Sequence, residues 1–305
     1  MAARLPSGQQ HEICHGEQRA VIVEVGGGLR VYENGGGAIL DGYGAGERCD
    51  GGRGQPLMPW PNRIDGASYE FDGVGYELPV TEASTGTAIH GLVRWANWVA
   101  CEHASDRVVM TYRLYPQPGW PGILELVLEY GLSDEGLSVT TTAANRGPAA
   151  CPFGAGFHPY VGLGAGSVDK LSLQAPGRRY LEADEQGLPV ASHAVTGTPL
   201  DFVRARRLGD CELDTCFTDL ERDERGIARV AVAASDGPEV VLWMDASFQY
   251  LMLFTGDSLA ADRRRRGLAI EPMSCPPNAL RSRRGSGPAR ARSRLYGALG
   301  NRGGE

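Results

Sequence analysis

Lysine is almost missing from this chain: Lys170 is the only one, and arginine carries nearly all of the positive charge. A net charge of −7 argues against a general binder of nucleic acid or of anionic membranes. No run approaches the roughly 18 apolar residues that a membrane-spanning helix needs, and the opening stretch MAARLPSGQQHEICHG lacks the apolar core of a signal peptide. The seven cysteines, at 14, 49, 101, 151, 211, 216 and 275, are odd in number and contain no C-x-x-C pair. That pattern fits reduced thiols better than a disulfide framework. These absences set the expectation of a soluble, cytoplasmic protein with no nucleic-acid or membrane partner.

Helical periodicity is absent too, and no fixed repeat or Gly/Ser linker divides the chain. What remains is a series of short runs with β-branched and aromatic residues. Examples are AVIVEV (20–25), SYEFDG (68–73), RVVMTYRLY (107–115), ILELVLEYGL (123–132), LSVTTTA (137–143), ARVAVAA (228–234), EVVLWM (239–244) and YLMLF (250–254). The 43 glycines and 19 prolines fall between these runs as turn punctuation, which predicts one all-β domain, a large antiparallel β-sandwich. The GGG stretches at 26–28 and 35–37 lack a following helix or G-K-[ST], so they read as turns and not as phosphate loops.

Four polar stretches stand out from the strands: WPNRIDG (60–66), AIHGLVRW (88–95), GFHPYVG (156–162) and ELDTCFTDL (212–220). A fifth, LAIEPMSCPPNAL (268–280), ends an apolar run on Glu271, an unusual residue to bury. Singly, each charged residue has a bland reading: Arg63 as a surface arginine, His90 and His158 as turn or core histidines, Asp214 as a turn cap, Glu271 as a strand-end charge. The two histidines have no H-x-H or H-x-x-x-H spacing, so sequence alone does not bring them to one metal.

Taken in order, N-R-I-x-G-x-x-Y-x-F-x-G, I-H-G, G-x-H-P-Y, L-D-x-x-F-T-D-L and I-E-P-x-x-x-x-P-N-A-L resemble the aldose 1-epimerase (galactose mutarotase) family over roughly residues 20–280. The resemblance implies a galactose mutarotase-like supersandwich, an isomerase acting on a sugar such as galactose or another hexose, and no cofactor or metal. It further implies that Glu271 is the general base and His158 the general acid, with Arg63, His90 and Asp214 lining the sugar pocket beside Asn62. Trp60, confined between Pro59 and Pro61 next to Arg63, is the expected apolar platform for the sugar ring, with Trp95 and Trp98 as weaker candidates. A non-catalytic sugar-binding module, or a glycoside hydrolase using Asp214 and Glu271 as a carboxylate pair, are the alternatives.

Two departures from the family pattern carry expectations of their own. Met252 stands where a glutamine often precedes the F/Y-T-G stretch, so one polar sugar contact is expected to be lost. After residue 280 the chain reads RSRRGSGPARARSRLYGALGNRGGE, with seven arginines and one acid. Residues 1–280 are therefore expected to be the folded domain, and 281–305 a basic tail, disordered or altered in reading frame, without the family's last strand. Pro272 is expected to stop strand pairing and leave Glu271 at the mouth of the cleft. Arg94 and Arg48 are the candidates for contacting an anionic substrate, against a surface reading for both.

Overall fold

The computed structural model describes residues 5–234, 237–282, 287–288 and 290–300. Among the described residues nearly every regular element is a strand, and the single α-helix, Ala279–Ser282, is one turn long. Among the described residues no helix is long and apolar enough to cross a membrane.

Two large antiparallel sheets carry the fold. The first has nine strands, and its longest hairpin pairs Leu124–Ser133 with Gly136–Asn145 over ten residues. Leu124, Leu126, Leu128, Tyr130 and Leu132 are buried while the residues between them are partly exposed, the period of two expected of a sheet with one wet face. The second has eight strands in the order 189–194, 177–183, 214–220, 250–254, 268–273, 156–157 and 56–57, with Tyr160–Val161 also pairing onto Leu268–Met273. Leu126, Leu128, Val230 and Val232 of the first sheet share one continuous apolar core with Phe217, Leu251, Leu253 and Ile270 of the second. The chain is thus a single all-β antiparallel sandwich.

Two expectations need correction. Residues Arg290–Gly300 form a strand, paired on one side with Gly136–Asn145 and on the other with Glu239–Met244, so the nine-stranded sheet does not lack a strand there. Without it, two long strands would face each other with unpaired backbone groups. Composition hid a period-2 pattern, because Ala291, Ser293, Leu295 and Gly297 alternate with Arg290, Arg292, Arg294 and Tyr296. Residues 283–286, 289 and 301–305 of that tail lie outside the described residues. The second correction concerns Pro272. Pairing runs through it to Met273, and Glu271 sits within the ladder opposite Met252. One missing N–H does not stop the neighbouring residues from pairing.

Candidate active site

The eight-stranded sheet builds a floor. Its register aligns Asp214 with Phe254 and Ala269, and Cys216 with Met252 and Glu271. Side chains two apart on a strand share a face, so Asp214, Cys216, Met252, Phe254 and Glu271 point away from the core side that holds Phe217, Leu251, Leu253 and Ile270. Leu268–Met273 is buried along its whole length because loops cover this second face. They enclose a cleft of about 310 Å³ lined by Asn62, Arg63, His90, His158, Asp214 and Glu271, among others.

His158 enters from the link between Gly156–Phe157 and Tyr160–Val161. The Gly54 N–H donates to its carbonyl at 2.9 Å, and its own N–H donates to the Gln55 carbonyl at 3.2 Å. Gly52 comes so close that a Cβ there would lie 3.0 Å from the His158 ring, and its φ of +75° favours glycine independently. The imidazole stacks on Tyr160 with ring centroids 5.0 Å apart, and the buried Arg53 guanidinium lies over the other ring of that pair, 4.5 Å from the Tyr160 centroid. His158 Nε2 approaches Glu271 Oε1 at 3.3 Å. Both residues are buried, 4% and 2% exposed. The remaining atoms of the pair, His158 Nδ1 and Glu271 Oε2, have no hydrogen-bond partner.

Asn62 and His90 hold one another in left-handed backbone conformations, φ 55° and 63°. The Asn62 N–H donates to His90 Nδ1 at 3.2 Å, and the His90 N–H donates to the Asn62 carbonyl at 2.9 Å. Such conformations cost a non-glycine residue of order 1–3 kcal/mol and are kept where surrounding structure enforces them. The next residue, Gly91, is required: a Cβ there would sit 1.9 Å from the Met58 carbonyl. Arg63 is oriented by Glu82, which accepts from Nε at 2.6 Å and from the second guanidinium nitrogen at 2.9 Å. Thr85 and Thr87 hydroxyls donate to the same carboxylate at 2.7 and 3.0 Å.

Burial dominates the electrostatics. Loss of solvent pushes the Glu271 carboxyl well above its ordinary value; Asp214 pushes the same way and Arg63 opposes. Loss of solvent lowers His158 to about 3, assisted by the Arg94 and Arg53 charges. His90 is held well below its usual value by burial and by His158, Arg94 and Arg63. Asp214 opens onto the cleft, yet the protein around it crowds out solvent and raises its carboxyl, against the pull of Arg63. Burial thus favours the neutral form of both groups, the carboxylic acid of Glu271 and the uncharged imidazole of His158.

Donor atoms of His90, His158 and Glu271 all lie within 4.8 Å of one another, a proximity that spacing along the chain did not suggest. The Asn62 N–H, however, occupies the lone pair of His90 Nδ1. In that neutral tautomer Nε2 carries the proton and is a hydrogen-bond donor, not a metal ligand.

The family model for aldose 1-epimerase matches residues 9–289. The chain belongs to the aldose 1-epimerase family. It is 35% identical over 278 residues to the protein YihR of Escherichia coli K12, covering 90% of this chain and 87% of that one. Its fold matches a GalM/aldose epimerase homologue from C. elegans, with a TM-score of 0.84, 17% identity, and 96% and 99% of the two chains covered. It also matches a galactose 1-epimerase from Lactobacillus acidophilus NCFM, with a TM-score of 0.78, 18% identity and coverage of 94% and 93%.

Within this aldose 1-epimerase fold, six of the seven residues singled out from the sequence line one cleft: Asn62, Arg63, His90, His158, Asp214 and Glu271. Trp60 does not. It is 2% exposed and packed in the main core, because its loop folds inward over the sandwich. Phe254 and Tyr160 are the aromatic residues in the cleft wall. Met252 lies opposite Glu271 and packs with Cys216 and Met273 in a small apolar cluster, so it surrounds the carboxyl with hydrocarbon. Glu82, Tyr160 and Arg53 were not assigned roles from sequence. Tyr160 is two residues from His158 within G-F-H-P-Y, but Glu82 and Arg53 have no local signal. Arg94, weighed from sequence as a contact for an anionic substrate against a surface reading, lines the cleft.

Proposed function

We propose that this member of the aldose 1-epimerase family is a mutarotase that interconverts the α and β anomers of a free aldohexose. The observation that carries the reading is the buried contact between Glu271 and His158 at the floor of a polar cleft.

A carboxylic acid beside a neutral imidazole holds as many protons as a carboxylate beside an imidazolium. Transfer of one proton across the 3.3 Å contact converts the resting pair into the working pair without any exchange with solvent. Glu271 as carboxylate then takes the proton of the C1 hydroxyl while His158 as imidazolium gives its proton to the ring oxygen. The C1–O5 bond breaks, C1=O1 forms, and the free aldehyde rotates before the ring recloses on its other face with both proton movements reversed. Arg63, His90, Asn62 and Asp214 provide donors and acceptors for the sugar hydroxyls. The ring opening needs one base and one acid, and no redox or group-transfer cofactor.

Polarimetry on freshly dissolved α-glucose and α-galactose tests this. Wild-type protein should accelerate the decay to the equilibrium rotation, and Glu271→Gln and His158→Asn should not. Release of reducing sugar from an aryl glycoside would instead point to the carboxylate pair Asp214 and Glu271, and absence of acceleration alongside sugar binding would point to a non-catalytic module.

A further inference from the structure

The contact between the two buried groups runs through one atom of one imidazole, His158 Nε2, which lies 3.3 Å from Glu271 Oε1. A histidine that moves a proton at one nitrogen is ordinarily aimed by a hydrogen bond at the other. Here Nδ1 has no such partner. Packing aims the imidazole instead. Tyr160 stacks on it with centroids 5.0 Å apart and planes 17° from parallel, and His90 meets it edge-on at 5.3 Å. The direction of Nε2 therefore depends on what fixes Tyr160.

One turn fixes Tyr160 at two points. The Tyr160 hydroxyl donates to the Gly51 carbonyl at 3.1 Å, and the Arg53 guanidinium lies over the phenol ring, 4.5 Å from its centroid. Arg53 is 1% exposed. Taking an arginine out of water is costly, and close carboxylates ordinarily offset that cost. Those of Arg53 stand off: Asp41 Oδ2 is 3.4 Å from both Nε and Nη2, and Asp50 Oδ1 is 3.1 Å from Nη1. Glu82, by contrast, meets Arg63 at 2.6 and 2.9 Å. Arg53 forgoes short carboxylate contacts and keeps a desolvated aromatic face, where a cation is attracted to the ring. The same turn also grips His158 itself, through the backbone bonds of Gly54 and Gln55 and the close approach of Gly52.

We propose that Arg53 is a positioning residue for the acid step, acting through the Tyr160 ring to hold the His158 imidazole with Nε2 toward Glu271 and the bound sugar. This assignment rests on the mutarotase reading above. Arg53 lies behind Tyr160 and is not part of the cleft wall, so its loss falls on the chemical step and not on sugar binding.

The test is a kinetic cycle on Arg53 and Tyr160, with anomer exchange of glucose or galactose followed by exchange NMR of the anomeric protons. Wild-type exchange is read first; if neither sugar is exchanged, the mutarotase reading falls and this assignment with it. Given exchange, Arg53→Met should lower kcat by about 10- to 100-fold, the scale of a small misplacement of a reacting group, and leave KM within about 2-fold. Arg53→Lys keeps a cation within reach of the ring and should recover at least about 3-fold of that loss. In a Tyr160→Leu background neither substitution should lower kcat further, because the route from Arg53 to His158 is gone. Independently of turnover, the His158 ring protons, shielded by the stacked Tyr160, should move downfield in Arg53→Met. If Arg53→Met does not fold, Arg53→Lys carries the cycle alone, with a kcat loss of about 3- to 30-fold beside Tyr160 and none in the Tyr160→Leu background. The assignment is overturned if active wild-type protein is paired with Arg53 variants that leave kcat unchanged or lose only in KM. It is equally overturned if they lower kcat by the same factor with and without Tyr160→Leu, or if the His158 proton shifts do not move.

Discussion

Two strands of this molecule have opposite designs. Leu124–Ser133 alternates buried and half-exposed residues, with core on one face and solvent on the other. Leu268–Met273 is buried at every position. The first is read directly from its sequence, because water selects every second residue. The second reads as an ordinary apolar run until Glu271, a carboxyl placed where neither face meets bulk water. A sheet face roofed by loops is a place where a titratable group loses solvent yet keeps access to a small ligand. That is the condition under which its proton affinity shifts toward the working range.

The comparison is broken most severely at Glu271. Glu271→Gln should lower kcat by about 10² to 10⁴ while thermal stability is unchanged or raised, since burial disfavours the charged carboxylate and Gln has the same shape without the charge. Kinetics alongside calorimetry separates the two effects. Leu128→Ala on the other strand should do the reverse, costing about 2–5 kcal/mol in denaturant unfolding while activity per folded molecule stays the same. A variant of Glu271 that unfolds the protein, or of Leu128 that abolishes turnover in folded material, would erase the distinction.

A smaller effect is expected at the wall of the cleft. Arg63→Met and Glu82→Gln should each raise KM, and together they should be less than additive, with a coupling of about 1–3 kcal/mol in a double-mutant cycle. Additive effects would mean that Glu82 does not position Arg63.

The pH dependence of stability sharpens the comparison further. His158 is lowered from 6.5 to about 3, so its contribution is present above pH 6.5 and is lost as pH falls toward 3. Glu271 is raised above 4.5, so its contribution is complete below that value and is lost as pH rises toward its folded pKa. Above pH 4.5 the two slopes oppose each other wherever both groups titrate, and each is limited to about 1.4 kcal/mol per pH unit. His158→Asn should flatten the acid limb and Glu271→Gln the alkaline limb in urea titrations across pH. The smallest expected effect is none: dialysis against a chelator should leave the exchange rate unchanged, because the Asn62 N–H keeps His90 in the tautomer that does not ligate.

Much of this protein was legible in its sequence wherever a local rule applied. The strands at 107–115, 123–132 and 239–244 follow from alternation, and the order of five motifs pointed to the site. Misreadings came where local rules compete with pairing. Pro272 predicts a strand end from its missing N–H, yet flanking residues hold the register. The arginine-rich tail predicts disorder from composition, yet Arg290–Gly300 pairs between two strands. Trp60 predicts an exposed platform from its prolines, yet the largest apolar side chain nearby is drawn into the core.

By itself, then, the sequence determined the all-β class, the strand positions and the residue types of the site, since each depends on neighbours a few positions away. Only the tertiary structure decided that Glu271 meets His158, that Glu82 takes up the charge of Arg63, and that Arg94 lines the cleft. Those contacts join segments separated by many residues, and burial and charge depend on what lies nearby in space, which the register of the sheet and the closing loops set together.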